Sequence, residues 1–353
     1  MKVAILAEGL FTRATAKTAI GVLRYAPLDV VAVVDSRTAG KDAAECVGVG
    51  EGVPVVATVE DAIARGAAVL LIGTAAAGGQ LPDGYRAPLA KALARGMEVW
   101  NGLHERILAD AQLAAAAREG GGRVRELREP PRDLEVGGHR RPRPGARVVL
   151  TVGTDAAVGK MTASLEIVAA LRRAGASAEF VATGQTGIAI AGGGIAVDAV
   201  VADFIAGAAE RLVCDASQRA DWIIVEGQGA LTHPGFSGVT LGLLHGSAPR
   251  LMVLCHDVAR RNVKGYADRL PLRSLGECID IYESAAAWGR AADAPRARVV
   301  AVALNTALVD DAAAREAIRR ASEETRLPVA DPIRGGSDGA DRLARAMLEA
   351  VPG

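Results

Sequence analysis

Short apolar runs alternate with amphipathic stretches along most of this chain. In the first third the runs cover residues 2–7, 29–35, 53–57, 67–72, 97–100 and 123–127. Between them, residues 14–25, 59–65 and 85–95 place apolar side chains at helical spacing. Strand-like runs alternating with helical stretches predict a parallel sheet with right-handed crossovers. Prolines at 130, 131, 142 and 144 then mark residues 128–146 as a linker. A second alternating series follows. Its strands are expected at 148–152, 178–183, 222–226, 251–256, 299–305 and 329–330, and its helices at 160–173, 198–211, 274–288, 310–324 and 340–351. The pattern predicts an α/β protein with a Rossmann-like domain over 1–127 and a second α/β domain over 147–353, its sheet mainly parallel.

The second domain opens on the most informative stretch. The apolar run at 147–151 leads into Val152-Gly153-Thr154-Asp155-Ala156-Ala157-Val158-Gly159-Lys160-Met161-Thr162, and a helical pattern follows. Strand, glycine-rich turn, Gly-Lys and helix is the layout of a phosphate-binding P-loop. Its amides and the positive end of the helix face an anion, and the lysine reaches the outer oxygens. Two departures stand out. Five residues separate Gly153 from Gly159, one more than usual, and Met161 takes the place of the hydroxyl that holds Mg²⁺. A thioether is a poor ligand for a hard cation. Phosphate binding is expected without metal-assisted phosphoryl transfer. Ligand contacts are expected from Gly153, Thr154, Asp155, Val158, Gly159, Lys160, Met161 and Thr162, and no metal site is expected.

Composition narrows the function classes. Lys plus Arg equals Asp plus Glu, 41 each. Zero net charge argues against a nucleic-acid partner or an anionic membrane surface. Only six of the 41 basic residues are lysines, so Lys160 stands out in an arginine-biased chain. The arginines at 140, 141, 143 and 147 read as a solvated linker. Four scattered cysteines (46, 214, 255, 278) without a CxxC read as reduced thiols of a cytoplasmic protein. Cys255, closing an apolar run, is a minor candidate nucleophile. No signal peptide is expected at the start, and no membrane span is expected along the chain. A small-molecule substrate and a homo-oligomer are the expected company. Asp35 ends the second strand, where an acid often holds a ribose, but the first turn, Glu8-Gly9-Leu10-Phe11-Thr12-Arg13, lacks GxGxxG. A tightly held dinucleotide is not expected there.

Ligands of open α/β sheets sit at the carboxyl ends of the strands. At those ends stand Thr183-Gly184-Gln185-Thr186-Gly187, Glu226-Gly227-Gln228-Gly229, His233, Ser237, Asp257, Arg260, Asn305-Thr306 and Asp331-Pro332-Ile333-Arg334. Glu226 beside a phosphate loop fits a holder of Mg²⁺ or its water, a general base, or a resting partner of Lys160. His233, before a proline and among glycines, reads as an exposed loop residue able to act as base or hydrogen bonder. Asp203, five residues after the N-cap candidate Asp198, joins Glu226 and His233 as a catalytic candidate. Amides near 184–187 or 227–229 would stabilise an oxyanion. Gln185, Thr186, Gly187, Gln228 and Ser237 are expected at the substrate, with Arg260 and Arg334 clamping a carboxylate. Asn305 is expected at the cofactor.

The loop 153–160 and Val225-Glu-Gly-Gln-Gly229 resemble the nucleotide loops of dethiobiotin synthetase. A wider resemblance covers nearly the whole chain. Lys17-Thr-Ala, Leu23-Arg-Tyr, Trp100-Asn-Gly-Leu-His104, the stretch 152–162, Ala182-Thr-Gly-Gln-Thr-Gly-Ile188, Asp198-Ala-Val-Val-Ala-Asp-Phe204, Glu226-Gly-Gln-Gly229, Leu244-His-Gly246, Asn305-Thr306 and Asp331-Pro-Ile-Arg334 are similar to the D-glutamate N-acetyltransferase-like family. That resemblance implies a Rossmann-like domain, a P-loop domain and acetyl transfer from acetyl-CoA to the amine of an acidic amino acid, D-glutamate. Two alternatives stay open: an ATP/Mg²⁺-dependent ligase or kinase, and a non-catalytic nucleotide or acyl-CoA sensor.

Overall fold

The computed structural model describes residues 1–74, 77–291 and 294–351. The chain divides into two compact units, one holding residues 1–129 with 185–199 and the other 130–184 with 200–353. The first runs β1 (Lys2–Leu6), α1 (Lys17–Tyr25), β2 (Asp29–Val34), α2 (Ala43–Val47), β3 (Val55–Val56), α3 (Val59–Ala64), β4 (Val69–Ile72), α4 (Arg86–Ala94), β5 (Glu98–Asn101), α5 (Ala111–Gly120) and β6 (Arg123–Glu126). Its parallel sheet has the order β3-β2-β1-β4-β5-β6, the Rossmann-like arrangement the sequence predicts.

The chain continues through β7 (Arg147–Gly153), α6 (Lys160–Arg173), β8 (Ala178–Val181), α7 (Gln185–Ala191), α8 (Ile205–Ser217), β9 (Trp222–Val225), α9 (Ser237–Ser247), β10 (Leu251–Asp257), α10 (Leu275–Trp288), β11 (Arg298–Asn305), α11 (Asp311–Thr325), β12 (Val329–Ala330) and α12 (Ser337–Ala350). The second sheet, also parallel, has the order β12-β11-β10-β7-β9-β8. Its strands are mostly apolar because both faces are covered. Val148, Leu150 and Val152 of β7 pack on one face with Tyr282 and Cys278 of α10. Val149 packs on the other with Ile167 and Leu171 of α6 and Leu343 of α12. The strand order reverses beside β7, so the turn after β7 opens at the switch point where such sheets bind ligands.

Three expectations change. The helix expected over 198–211 begins only at Ile205, after short 3-10 turns at Val197–Ala199 and Ala202–Phe204. Val201 is extended (φ −57°, ψ 137°) and breaks the pattern, and the Asp198 carboxylate pairs with Arg128 instead of capping a helix. The stretch after Gly184, read as a loop, is helix α7. This helix belongs to the first unit, where the Thr186 and Thr18 hydroxyls meet at 2.8 Å. The arginine-rich stretch before β7 is bonded rather than simply solvated. Arg143 donates to Ser217 O (2.8 Å) and Asp221 (2.6 Å), and Arg140 to the buried Glu210 (2.7 Å). Among the described residues, no helix is long and apolar enough to cross a membrane.

Candidate functional site

The turn after β7 forms a closed cradle. Gly159 (φ +105°) gives the left-handed step that an L side chain resists, and Ala157 takes a second one (φ +57°). Lys160 starts α6 and folds back, its Nζ donating to Asp155 O at 2.9 Å, with only 6% of the residue exposed. A Cβ on Gly153 would lie 2.9 Å from that ammonium. A Cβ on Gly227 would lie 1.7 Å from Thr151 O and 2.9 Å from Lys160 Cδ, so Gly227 must be glycine for the lysine to pass. Met161 is buried, Thr162 is half-buried, and Val158 is a core residue whose side chain faces no solvent.

Hydrogen bonds tie the cradle to β10 and to the loops after β9 and β10. Asp155 is wholly buried. Its Oδ2 accepts from Arg260 Nη1 and Lys264 N, both at 2.8 Å, and its Oδ1 from Ala156 N at 2.7 Å. The Thr154 hydroxyl meets His256 Nδ1 at 2.9 Å, and its carbonyl accepts from Thr232 Oγ1 at 3.1 Å. Burial pushes the His256 imidazole below its ordinary pKa. A buried hydroxyl chain crosses beneath. Ser164 donates to Lys160 O (3.0 Å), so Thr151 donates to Ser164 (3.0 Å) and accepts from Gly227 N (3.0 Å).

Glu226, just past β9, is 4% exposed, and its Oε2 accepts from Thr183 N (3.1 Å) and Gly184 N (3.2 Å). Gln228 donates to Thr183 Oγ1 at 3.3 Å. The amides of Gly184 and Gly227, expected to serve an oxyanion, are therefore engaged within the protein.

His233 departs from its expected exposure. It is buried, stacked on Phe236 with ring centroids 4.3 Å apart, and 4.0 Å from Asp155. Its Nδ1 accepts from Gly235 N and its Nε2 donates to Lys264 O, each at 3.1 Å. With both nitrogens bound to backbone, the ring staples two loops and offers no lone pair as a base. The reason is the tight turn after it: Gly235 and Ser237 both fold back onto His233. Cys255 is buried, with its thiol pushed up to about 12 by burial, which leaves it inert.

The remaining candidates fall in several places. Asn305 stands beside the cradle, 3.8 Å from where a Gly159 Cβ would be. Ser237 opens α9 and is half-buried. Arg260 spends Nη1 on Asp155 and Ala156 O. Arg334 spends its donors on Thr306, Val309 O (2.5 Å) and Asp311, which locks the loops after β11 and β12. Asp203 is exposed on its 3-10 turn. Gln185, Thr186 and Gly187 open α7 in the first unit. In that unit Asp35 is closed by its own loop, accepting from Gly9 N at 2.6 Å and from Thr38 Oγ1. Sequence reasoning missed Thr151, Ser164 and Tyr282. The first had a signal, a lone hydroxyl inside an apolar run; Tyr282 had none.

Residues 136–344 match the family described as the P-loop domain of unknown function DUF1611_C, and residues 36–130 its Rossmann-like partner, DUF1611_N. The chain belongs to the DUF1611 family. A crystal structure of a DUF1611 family protein from Anabaena variabilis superposes with a TM-score of 0.88 at 40% identity, covering 99% of both chains. Two relatives bear the name D-glutamate N-acetyltransferase. One, from Tritonibacter scottomollicae, is 34% identical over 94% of each chain. The other, from Pseudoalteromonas, is 37% identical over 79% of this chain and 81% of its own. The family resemblance read from the motifs is thus borne out.

Proposed function

We propose that this protein is an N-acetyltransferase that moves an acetyl group from acetyl-CoA to the amine of D-glutamate. The observation that carries the reading is a relative of that name aligned over nearly the whole chain. The cradle supports it. Glycine amides and Lys160 suit the phosphates of coenzyme A, while Met161 in the hydroxyl position suits a ligand that is gripped rather than hydrolysed. Acetyl-CoA supplies the acetyl group as an activated thioester. Gly153, Thr154, Gly159, Lys160 and Thr162 would hold its phosphates, with Asn305 alongside.

The chemistry needs a neutral amine. A nitrogen–carbon bond forms, the carbon–sulfur bond breaks, the thiol leaves and the amine loses a proton. Glu226 is the base this reading assigns, its carboxylate aimed by the amides of Thr183 and Gly184. Gln228 and Ser237 would contact the acceptor. Arg260 acts indirectly, by holding Asp155. The enzyme is taken as cytoplasmic and homo-oligomeric.

The test is thiol release from acetyl-CoA and D-glutamate without divalent metal. Silence across a panel of D- and L-amino acids sinks the reading. Turnover that demands ATP and Mg²⁺ would favour the ligase or kinase instead, and ligand binding without any turnover would favour a sensor.

A further inference from the structure

The largest buried polar side chain behind the cradle takes no part in the mechanism above. Tyr282 lies mid-way along α10 and is fully buried against β7. Its hydroxyl donates to Gly153 O at 2.8 Å and accepts from Leu231 N at 3.1 Å and Gly153 N at 3.4 Å. One proton and two lone pairs are all a phenol has. Every one is spent, and only on main chain.

The two segments it joins matter. Gly153 is the last residue of β7 and the first of the cradle. Leu231 lies in the loop between β9 and α9, five residues after Glu226. The ladder between β7 and β9 ends at Leu150 and Val225, short of both segments. Past that point the hydroxyl chain beneath the lysine holds them at Gly227, and Tyr282, with Thr232 Oγ1 on Thr154 O, holds them further out. Burial raises the phenol well above its ordinary pKa, so the hydroxyl keeps its proton and the link is insensitive to pH.

We propose that Tyr282 is a positioning residue for acetyl transfer, its hydroxyl setting the separation between the phosphate-gripping cradle and the turn that carries Glu226. This rests on the acetyltransferase reading. The link matters because displacing reacting groups by about 1 Å can cost about a hundredfold in rate, while Gly159, Lys160 and Thr162 on the phosphate side and Gln228 and Ser237 on the acceptor side carry no bond to Tyr282.

The experiment uses the full chain and Tyr282→Phe, which keeps the ring and deletes one oxygen. Amide exchange in the ligand-free protein comes first. The amides of Gly153 and Leu231 should exchange roughly tenfold faster in the variant, with the core of the sheet unchanged. In acetyl transfer, kcat should fall about tenfold with both KM values within about twofold. A purely structural role would lower the melting temperature and leave kcat per folded molecule intact, which overturns the proposal. Unchanged exchange at both amides overturns it as well. If the wild-type protein shows no acetyl transfer, the functional reading fails, and the exchange result alone decides whether the hydroxyl holds the two segments.

Discussion

Asp155 and Arg260 form an ion pair in the glycine-rich turn after β7, Oδ2 to Nη1 at 2.8 Å, with Asp155 wholly out of solvent. On the proposed reading a carboxylate there would repel a phosphate ligand unless a cation answered it, and Arg260 is that cation. Removing Arg260 leaves the buried carboxylate without its cation, whereas removing Asp155 leaves a partly exposed guanidinium that still has Asp257 at 3.8 Å and Ala156 O. Arg260→Ala should destabilise by about 3 kcal/mol in denaturant titrations, and Asp155→Ala by less. The double variant should cost clearly less than the two singles together. Full additivity would mean the pair is not coupled.

Lys160→Ala removes the ammonium from the cradle. A charge-assisted hydrogen bond contributes roughly 1.5–3 kcal/mol, so coenzyme A affinity should drop about 10- to 100-fold by calorimetry. A chelator should leave both affinity and turnover of the wild-type protein unchanged, because Met161 offers a metal no hard ligand. A rate lost on chelation and restored by Mg²⁺ would reverse this account.

His256 makes stability depend on pH. Its folded pKa lies below the ordinary 6.5, so the folded protein takes up this proton at lower pH than the unfolded chain. Above about pH 6.5 both states are neutral at this site and nothing is lost. As pH falls below that, the unfolded chain binds the extra proton and stability declines. Unfolding free energies of wild type and His256→Gln, measured from pH 8 down to about pH 5, should therefore differ in slope only in the acidic part. Parallel curves throughout would remove His256 from the titration.

Two glycines of α9 should behave oppositely. A Cβ on Gly246 would lie 2.0 Å from Ala206 O, where α8 approaches, while one on Gly238 meets nothing within 4 Å. Gly246→Ala should destabilise by about 2 kcal/mol or more through forced displacement of backbone. Gly238→Ala should be neutral or stabilising by up to about 1 kcal/mol. Thermal unfolding of the two variants checks the contrast.

These glycines also mark where the sequence stops being readable. Both sheets, their strand positions and the cradle follow from apolar periodicity and one glycine-lysine turn. Helix α9, Ser-Gly-Val-Thr-Leu-Gly-Leu-Leu-His-Gly-Ser, lacks an amphipathic stripe, and its Gly242 and Gly246 serve close approach to α8 rather than propensity. His233 read as exposed because proline and glycine neighbours usually mean surface, yet the turn folds the ring inward to bridge two backbones. Arg334 read as a clamp, and only three-dimensional structure reveals that Thr306, Val309 and Asp311 already occupy it. Tyr282 stands 129 residues from Gly153, a separation no local pattern encodes.

The segment Gln185–Ala199 completes the first unit, although more than fifty residues of the second unit precede it in the chain. During synthesis the amino-terminal Rossmann-like layer therefore cannot be finished when its own last strand leaves the ribosome. It waits, with the Thr18 hydroxyl unmet, until residue 199 has emerged. Cutting the gene at the proline-rich stretch would therefore yield an amino-terminal fragment missing part of itself.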